Sequence, residues 1–390
     1  MRSKSTTPTH LFVAAAFHAR EREWSTKLLI RMLVLADNTH INRELECTSF
    51  DQKVVAKVEL LERKKGVGCR WRSFFVDCAF SNPRIDKFNL TLRHDALKHT
   101  IDVQKAGHRH HSLVVCYSRA FRLERWQSVI SAIHFYSYQQ VDFLDIRLAS
   151  AVDSVYELLR AYEAEGRIQL RPALILPSLS DLIDYDANEE VDVYHQTLNY
   201  DACLYEHREM ADFIIFADFD DLLHGPILKE LKRLTANYPL AASFEFAWPP
   251  AAILDVKEPA KFELKSFVES LTWSSTGVDL PLYGKSVVRP LRIRHSFVHR
   301  PLLPEVQLVN RFEHHYLPNS SIVFVHARHF VEQEFFDSND LKHAQRSRVN
   351  FTALTDDFLR FLNLVSSITN FFSLLRCNSR VFGTTTAIVF

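Results

Sequence analysis

Glycine is scarce in this chain, at 8 of 390 residues, where about 7% is usual. Neither a G-x-G-x-x-G turn nor a G-x-x-x-x-G-K-[ST] loop occurs, so the common glycine-rich nucleotide cradles are excluded. Six cysteines are present, but no C-x-x-C pair, which argues against a zinc ribbon or a thioredoxin-like site. A Cys69–Cys78 bridge is one pairing the spacing permits. Net charge is lacking too: 47 Lys+Arg balance 47 Asp+Glu, and nothing global points to nucleic acid or an anionic membrane. Long apolar runs are missing. "LFVAAAF" (11–17) reads as a strand, and "FLNLVSSITNFFSLL" (361–375) falls short of the roughly 20 residues that cross a bilayer. With its Asn and Ser residues, the second run reads as a buried or interfacial helix.

What is present is an aromatic, apolar chain with 30 Phe and 47% hydrophobic residues, the composition of a globular protein without extended disorder. Its length suits one large domain with an accessory region, or two domains. Residues 1–107 carry mixed charge and short apolar runs such as "WRSFFVDCAF" (71–80) that read as strands, an accessory region rich in β structure. The His-rich "GHRHH" (107–111) reads as a linker with solvated histidines.

From residue 108 a regular alternation begins. Strand 112–118 precedes a helix over 122–138, with Leu123, Trp126, Val129, Ile130 and Ile133 at helical spacing. Strand 143–149 leads to a helix signposted by a Ser154-x-x-Glu157 capping box and a Gly166 C-cap, and strand 167–174 follows. A helix over 191–210, a strand at 213–216 and a helix over 227–237 continue the pattern. Such β-α-β order implies a doubly wound, mostly parallel sheet, because parallel neighbours need crossover connections. The domain spans 108–335, and 336–390 forms a C-terminal helical tail.

Ligands in such sheets sit beyond the C-terminal ends of the strands. There stands "DFIIFADFDDLLHG" (212–225), an apolar strand ending in Asp218, Asp220 and Asp221. Carboxylates packed so closely repel one another unless a cation, raised pKa values or full solvation relieves them. In an extended segment Asp218 and Asp220 project to one side, with Phe219 toward the core. Two such carboxylates suit Mg²⁺ or Mn²⁺, which take oxygen ligands and substrate phosphates; the plainer alternative is a solvated acidic turn. Two enzyme classes use the pattern. GT-A glycosyltransferases place D-x-D in mid-domain to hold a divalent ion against a donor diphosphate. Haloacid-dehalogenase-like phosphohydrolases open their domain with it and would use Asp218 as nucleophile. The βα units that precede it here favour the transferase.

Several ordered stretches then resemble glycosyltransferase family 92, especially its nematode members: "VVCYSRAFRLERWQSVISAIHFY" (114–136), "LLRAYEAEGRIQL" (158–170), "HQTLNYDACLYEHREMADFIIFADFDDLLHG" (195–225), "YGKSVVRP" (283–290) and "VHAR" (325–328). The resemblance implies a GT-A-like α/β fold and an inverting transfer of a hexose, galactose from UDP-galactose, to a glycan or glycoprotein hydroxyl. It also implies Mn²⁺ or Mg²⁺ as cofactor and a secretory-pathway location at the Golgi membrane, although no anchor is visible in the chain. Asp218 and Asp220 match the family's D-x-D, and Asp221, which stands where an acidic residue is usual, is a candidate donor contact.

His326 is a candidate third metal ligand, against the alternative of a buried, satisfied histidine. Lys285 and Arg289 are candidates for neutralising donor phosphates, or else belong to an exposed strand face. Asn199 and Asp201 are candidates for donor contacts, or else solvated helix residues. The catalytic base is not assigned. A non-catalytic glycan-binding protein that retains the fold is the reading outside the enzymes. Sequons begin at Asn89, Asn319 and Asn350, acceptors only in the secretory pathway.

Overall fold

The computed structural model describes residues 11–19, 27–37, 45–49, 52–61, 69–81, 87–92, 98–104, 109–178, 185–191, 195–257, 261–274, 284–299, 303–304, 312–331, 344–346, 356–358, 360–361, 379–381 and 388–389. Cys377, Asn350 and most of the 361–375 run lie outside them. The chain divides into two compact units, one of residues 1–109, 172–210 and 383–390, the other of 110–171 and 211–382. The first unit thus takes in two segments that sequence alone assigned to the second domain and the tail.

The first unit is built on two antiparallel sheets. One has the order Ile388–Val389, Leu11–Ala19, Leu28–Asp37, Trp71–Phe80, Lys57–Leu60; the other has Gln52–Val55, Leu45–Ser49, Lys87–Leu92, Lys98–Asp102. Alternating residues point inward, Ile30, Met32 and Val34 with Phe74, Val76 and Phe80 from the first sheet, Leu45, Phe88 and Leu90 from the second. Cys47 and Cys78, one from each sheet, form a disulfide with Cα atoms 6.2 Å apart. This overturns the Cys69–Cys78 pairing, because Cys78 faces the opposite sheet. The other face of the first sheet is buried as well. There Arg31 forms a two-pronged pair with Asp77 and hydrogen bonds to Tyr205 of the Gln196–His207 helix.

The second unit carries the α/β alternation. Its seven-stranded sheet has the order Ile168–Pro172, Phe143–Leu148, His111–Ala120, Ala211–Ala217, Lys285–Val288, Ala241–Phe246, Glu313–Leu317. His111–Ala120 is parallel to both its neighbours, and Ala241–Phe246 is parallel to Glu313–Leu317. Lys285–Val288 runs against the strands on either side. Chain order reverses beside His111–Ala120, the place where open α/β sheets bind ligands.

Helices Trp126–Tyr138, Asp153–Ala164 and Ile227–Asn237 connect these strands. In the last, Ile227, Leu231 and Leu234 form the buried stripe. Asp153–Ala164 ends in a Schellman motif around Gly166 (φ +72°), with Gly166 N bonded to Glu163 O and Arg167 N to Tyr162 O. Its start differs from the expected capping box. The strand Ser150–Val152 runs straight into it, so Val152 is the N-cap and Ser154 lies buried inside the first turn.

A second, five-stranded sheet in this unit has the order Asp221–His224, Val323–Val331, Pro250–Leu254, Thr272–Ser274, Ala344–Arg346. Asp357 and Phe361 are tied down by a partly buried network. His134 bonds Asp357 at 2.7 Å and Tyr162 at 2.8 Å, Arg167 bonds Asp357 at 2.6 and 2.9 Å, and Phe361 stacks on Tyr162. Among the described residues no helix is long and apolar enough to cross a membrane.

Candidate active site

The Ala211–Ala217 strand reaches the C-terminal edge of the sheet and the chain turns at once. Asp221 N donates to Asp218 O at 2.9 Å, closing a β-turn over Asp218–Asp221. The three aspartates therefore sit on a turn, not on the extended segment expected from sequence. Phe219 does face the core, stacked on Tyr117 with ring centroids 4.3 Å apart. Asp221 opens the next strand and pairs across it with His326, while Tyr136 Oη donates to Asp221 O and accepts from Leu223 N.

Burial and pairing then separate the carboxylates. Asp221 is fully buried; its Oδ2 lies 2.8 Å from Lys285 Nζ and accepts Asp218 N at 3.0 Å, and its Oδ1 accepts Trp248 Nε1 at 2.6 Å. Lys285 Nζ, 1% exposed, also meets Asp218 Oδ2 at 3.0 Å. One buried ammonium thus relieves the repulsion of two of the three carboxylates.

Lys285 reaches this edge because its strand is reversed, so that the strand's first residue lies beside the last residues of its parallel-running neighbours. The preceding Gly284 permits the approach. A Cβ there would overlap the Phe246 carbonyl oxygen and come within 2.8 Å of Glu245 Cγ. Gly284 N donates to Glu245 Oε1 at 2.5 Å, and the other oxygen of this buried carboxylate meets His314 Nε2 at 2.6 Å, whose Nδ1 lies 2.7 Å from Ser243 Oγ.

Asp220 and His326 form the outer part of the site. Asp220, with its side chain 34% exposed, places Oδ2 3.1 Å from His326 Nε2, and its carbonyl accepts Ala327 N at 2.7 Å. The His326 ring stacks on Trp248 at 4.2 Å and 17°. Ligand atoms of Asp220, Asp221 and His326 lie within 4.8 Å of one another, and Asp218, 41% exposed, stands alongside. Since both Asp221 oxygens already have partners, the atoms that face solvent come from Asp220, His326 and Asp218. Carboxylate oxygens with an imidazole nitrogen fit Mn²⁺ or Mg²⁺, which bind through one or two carboxylates and leave places for phosphate oxygens. Nearby, burial followed by the Lys285 charge lowers the His299 pKa below its ordinary value.

With this geometry in hand, residues 111–362 match the model of glycosyltransferase family 92. The chain belongs to that family. Among curated relatives of Caenorhabditis elegans, family 92 protein C33H5.2 is 25% identical over 58% of this chain and 44% of its own length, and ZK381.2 is 29% identical over 48% and 37%. The chain therefore spans less than half the length of these relatives. Among solved structures, S. aureus TarS 1–349 superposes with a TM-score of 0.32 at 9% identity, over 67% of this chain and 74% of that one.

In this family 92 chain the other candidates part company. Arg289 leaves the Lys285–Val288 strand at the opposite edge of the sheet, where its backbone bonds Ala242 O and its guanidinium bonds Pro239 O at 3.3 Å. It is not brought to the aspartates. Asn199 and Asp201 lie buried on a helix of the other unit. The Asn199 amide brackets Leu174 N and O and donates to His195 O, a backbone brace. Lys285 joins the site, but its ammonium is engaged by two carboxylates. Trp248 went unread in the sequence. Its signal was the end of "SFEFAW", where the same strand-edge rule that found the aspartates would have placed it.

Proposed function

We propose that this chain is a metal-dependent, inverting glycosyltransferase that moves galactose from UDP-galactose to a hydroxyl of a glycan or glycoprotein, in the secretory pathway at the Golgi membrane. Family membership supports the reaction class. The observation that carries the metal and donor reading is the half-open pair of Asp220 and His326, beside Asp218, at the ligand-binding edge of the sheet. These residues would hold Mn²⁺ or Mg²⁺, which when bound supplies Lewis-acid stabilisation of the departing nucleoside diphosphate. Lys285 and Trp248 hold Asp221, and through it the turn, so that Asp220 is presented without rearrangement. The His326 ring is oriented by its stack on Trp248. An acceptor hydroxyl, deprotonated by a carboxylate, attacks the anomeric carbon in line; no residue is assigned to that deprotonation.

The phosphohydrolase alternative would make Asp218 the nucleophile and pass through an aspartyl-phosphate; family membership counts against it. Calorimetry with UDP, with and without Mn²⁺, tests the proposal. Wild type should bind UDP in a metal-dependent way. Asp220→Asn should keep the fold yet weaken that binding at least tenfold, since an amide oxygen is a poorer ligand for a hard cation. Metal-dependent binding that survives the substitution would remove the aspartates from the cation site. Absence of any binding would favour the non-catalytic reading.

A further inference from the structure

The turn leading into the His326 strand carries a feature of another kind. Ser320 N donates to Leu317 O at 3.3 Å, closing a β-turn with Pro318 and Asn319 at its centre. Asn319 begins the sequon Asn319-Ser320-Ser321, is exposed, and its side-chain amide has no hydrogen-bond partner among the described residues. Asn89, by contrast, lies within the Lys87–Leu92 strand, paired on both sides, and its Oδ1 accepts Thr100 Oγ1 at 2.9 Å.

Three residues before Asn319, Tyr316 is 53% exposed. Its ring offers a flat apolar face with a polar hydroxyl at the edge. Here it lines a cavity of about 270 Å³ with Glu230, Arg233, Tyr238, Asn319 and Ser320, near the lower end of volumes that receive small organic ligands, about 300 Å³. The walls are fixed. Arg233 holds Glu230 at 2.7 and 2.8 Å, Ser320 Oγ donates to Glu230 Oε1 at 3.0 Å, and Tyr238 packs on His315. An aromatic face beside charged hydrogen-bonding groups matches a pyranose, which has an apolar C–H face and a polar rim. The buried Cys47–Cys78 disulfide also points to an oxidising compartment, where sequons are used.

We propose that Asn319 is an N-glycosylation site, and that the first N-acetylglucosamine of its glycan lies in this cavity with its apolar face on Tyr316. The inference rests on the secretory-pathway part of the reading above, not on its donor or metal. In the modification, the Asn319 amide nitrogen attacks the anomeric carbon of an oligosaccharide carried on a polyprenyl pyrophosphate. The N–C bond forms as the C–O bond to pyrophosphate breaks; the lipid pyrophosphate leaves with the electron pair, and the amide proton passes to a base of the transferring enzyme.

The test uses the full chain secreted from cultured insect cells behind a cleavable signal. Peptide N-glycosidase treatment in ¹⁸O-water followed by mass spectrometry should convert most of Asn319 to labelled Asp. Trimming the glycan to one N-acetylglucosamine should keep a gain in Tm of a few degrees over Asn319→Gln, and Tyr316→Ala should abolish that gain while leaving Asn319 occupied. Secreted protein with Asn319 unlabelled, whether or not Asn89 is labelled, overturns the site. Occupied Asn319 whose Tm gain is indifferent to Tyr316→Ala overturns the packing. Binding of UDP with Mn²⁺ to the same preparation separates failure here from failure of the proposed activity.

Discussion

Lys285→Met is the substitution from which the geometry of the site demands most. Lys285 and Asp221 are both buried, with Nζ and Oδ2 2.8 Å apart. At an effective dielectric constant of about 20 their gross attraction is about 6 kcal/mol, much of it offset by the cost of burying both charges. Removing one member of a buried pair costs about 3–5 kcal/mol. Asp221 keeps two donors, Trp248 Nε1 and Asp218 N, which places the expected loss near the lower end, about 3 kcal/mol. The contact to the more exposed Asp218 adds about 0–1 kcal/mol. Native-state hydrogen exchange in peptides covering 211–217 and 285–288 reports the local opening directly. Protection there should fall roughly a hundredfold, the equivalent of about 3 kcal/mol. Adding Asp221→Asn should return more than half of the loss, since the unpaired charge is then gone. Protection that changes less than about twofold in Lys285→Met, or that falls further in the double variant, would refute the role given to the ammonium.

Gly284→Ala should destabilise the same two strands by about 1–3 kcal/mol, because the new methyl group forces backbone apart at Phe246; unchanged hydrogen exchange would count against it. Acid should loosen the attachment of Asp357 and Phe361. Burial lowers the His134 pKa, and although burial alone would raise that of Asp357, its hydrogen bonds from His134 and Arg167 hold it well below the usual carboxylate range. Both folded pKa values are depressed, so stability present at neutral pH falls as the unfolded chain takes up protons, below about pH 6.5 for the histidine and below about pH 4 for the carboxylate. Thermal unfolding at a series of pH values should show that decline, with only the part below about pH 4 reduced in Asp357→Asn; a flat profile from pH 7 to 5 would contradict it.

The alternation from His111 to Pro172 was legible because helix and strand periods differ sharply and Gly166 marks a turn only a left-handed residue completes comfortably. The helix Ile227–Asn237 was read to the residue for the same reason. Less legible was anything set by pairing between distant strands. Cys78 finds Cys47 because two sheets face each other, which spacing along the chain does not encode. Direction was also hidden. "YGKSVVRP" reads the same whether its strand runs with or against its neighbours, yet that choice brings Lys285 to the aspartates and carries Arg289 away. Asp218 and Asp220 were recognised as a pair, but the turn that makes Asp221 the buried anchor is decided by Lys285 and Trp248, far along the sequence.

The polypeptide passes from one compact unit to the other four times, at 109/110, 171/172, 210/211 and 382/383. During synthesis the N-terminal strands emerge first, but the helix whose Tyr205 bonds Arg31 follows only about a hundred residues later, after a whole βαβαβ segment of the other unit. Until then the sheet face bearing Arg31, Leu33 and Leu35 has no helix of its own to cover it. Single-cut dissection of the molecule near residue 107 should therefore give fragments that aggregate, and chaperone demand should be greatest while the ribosome is between residues 110 and 210.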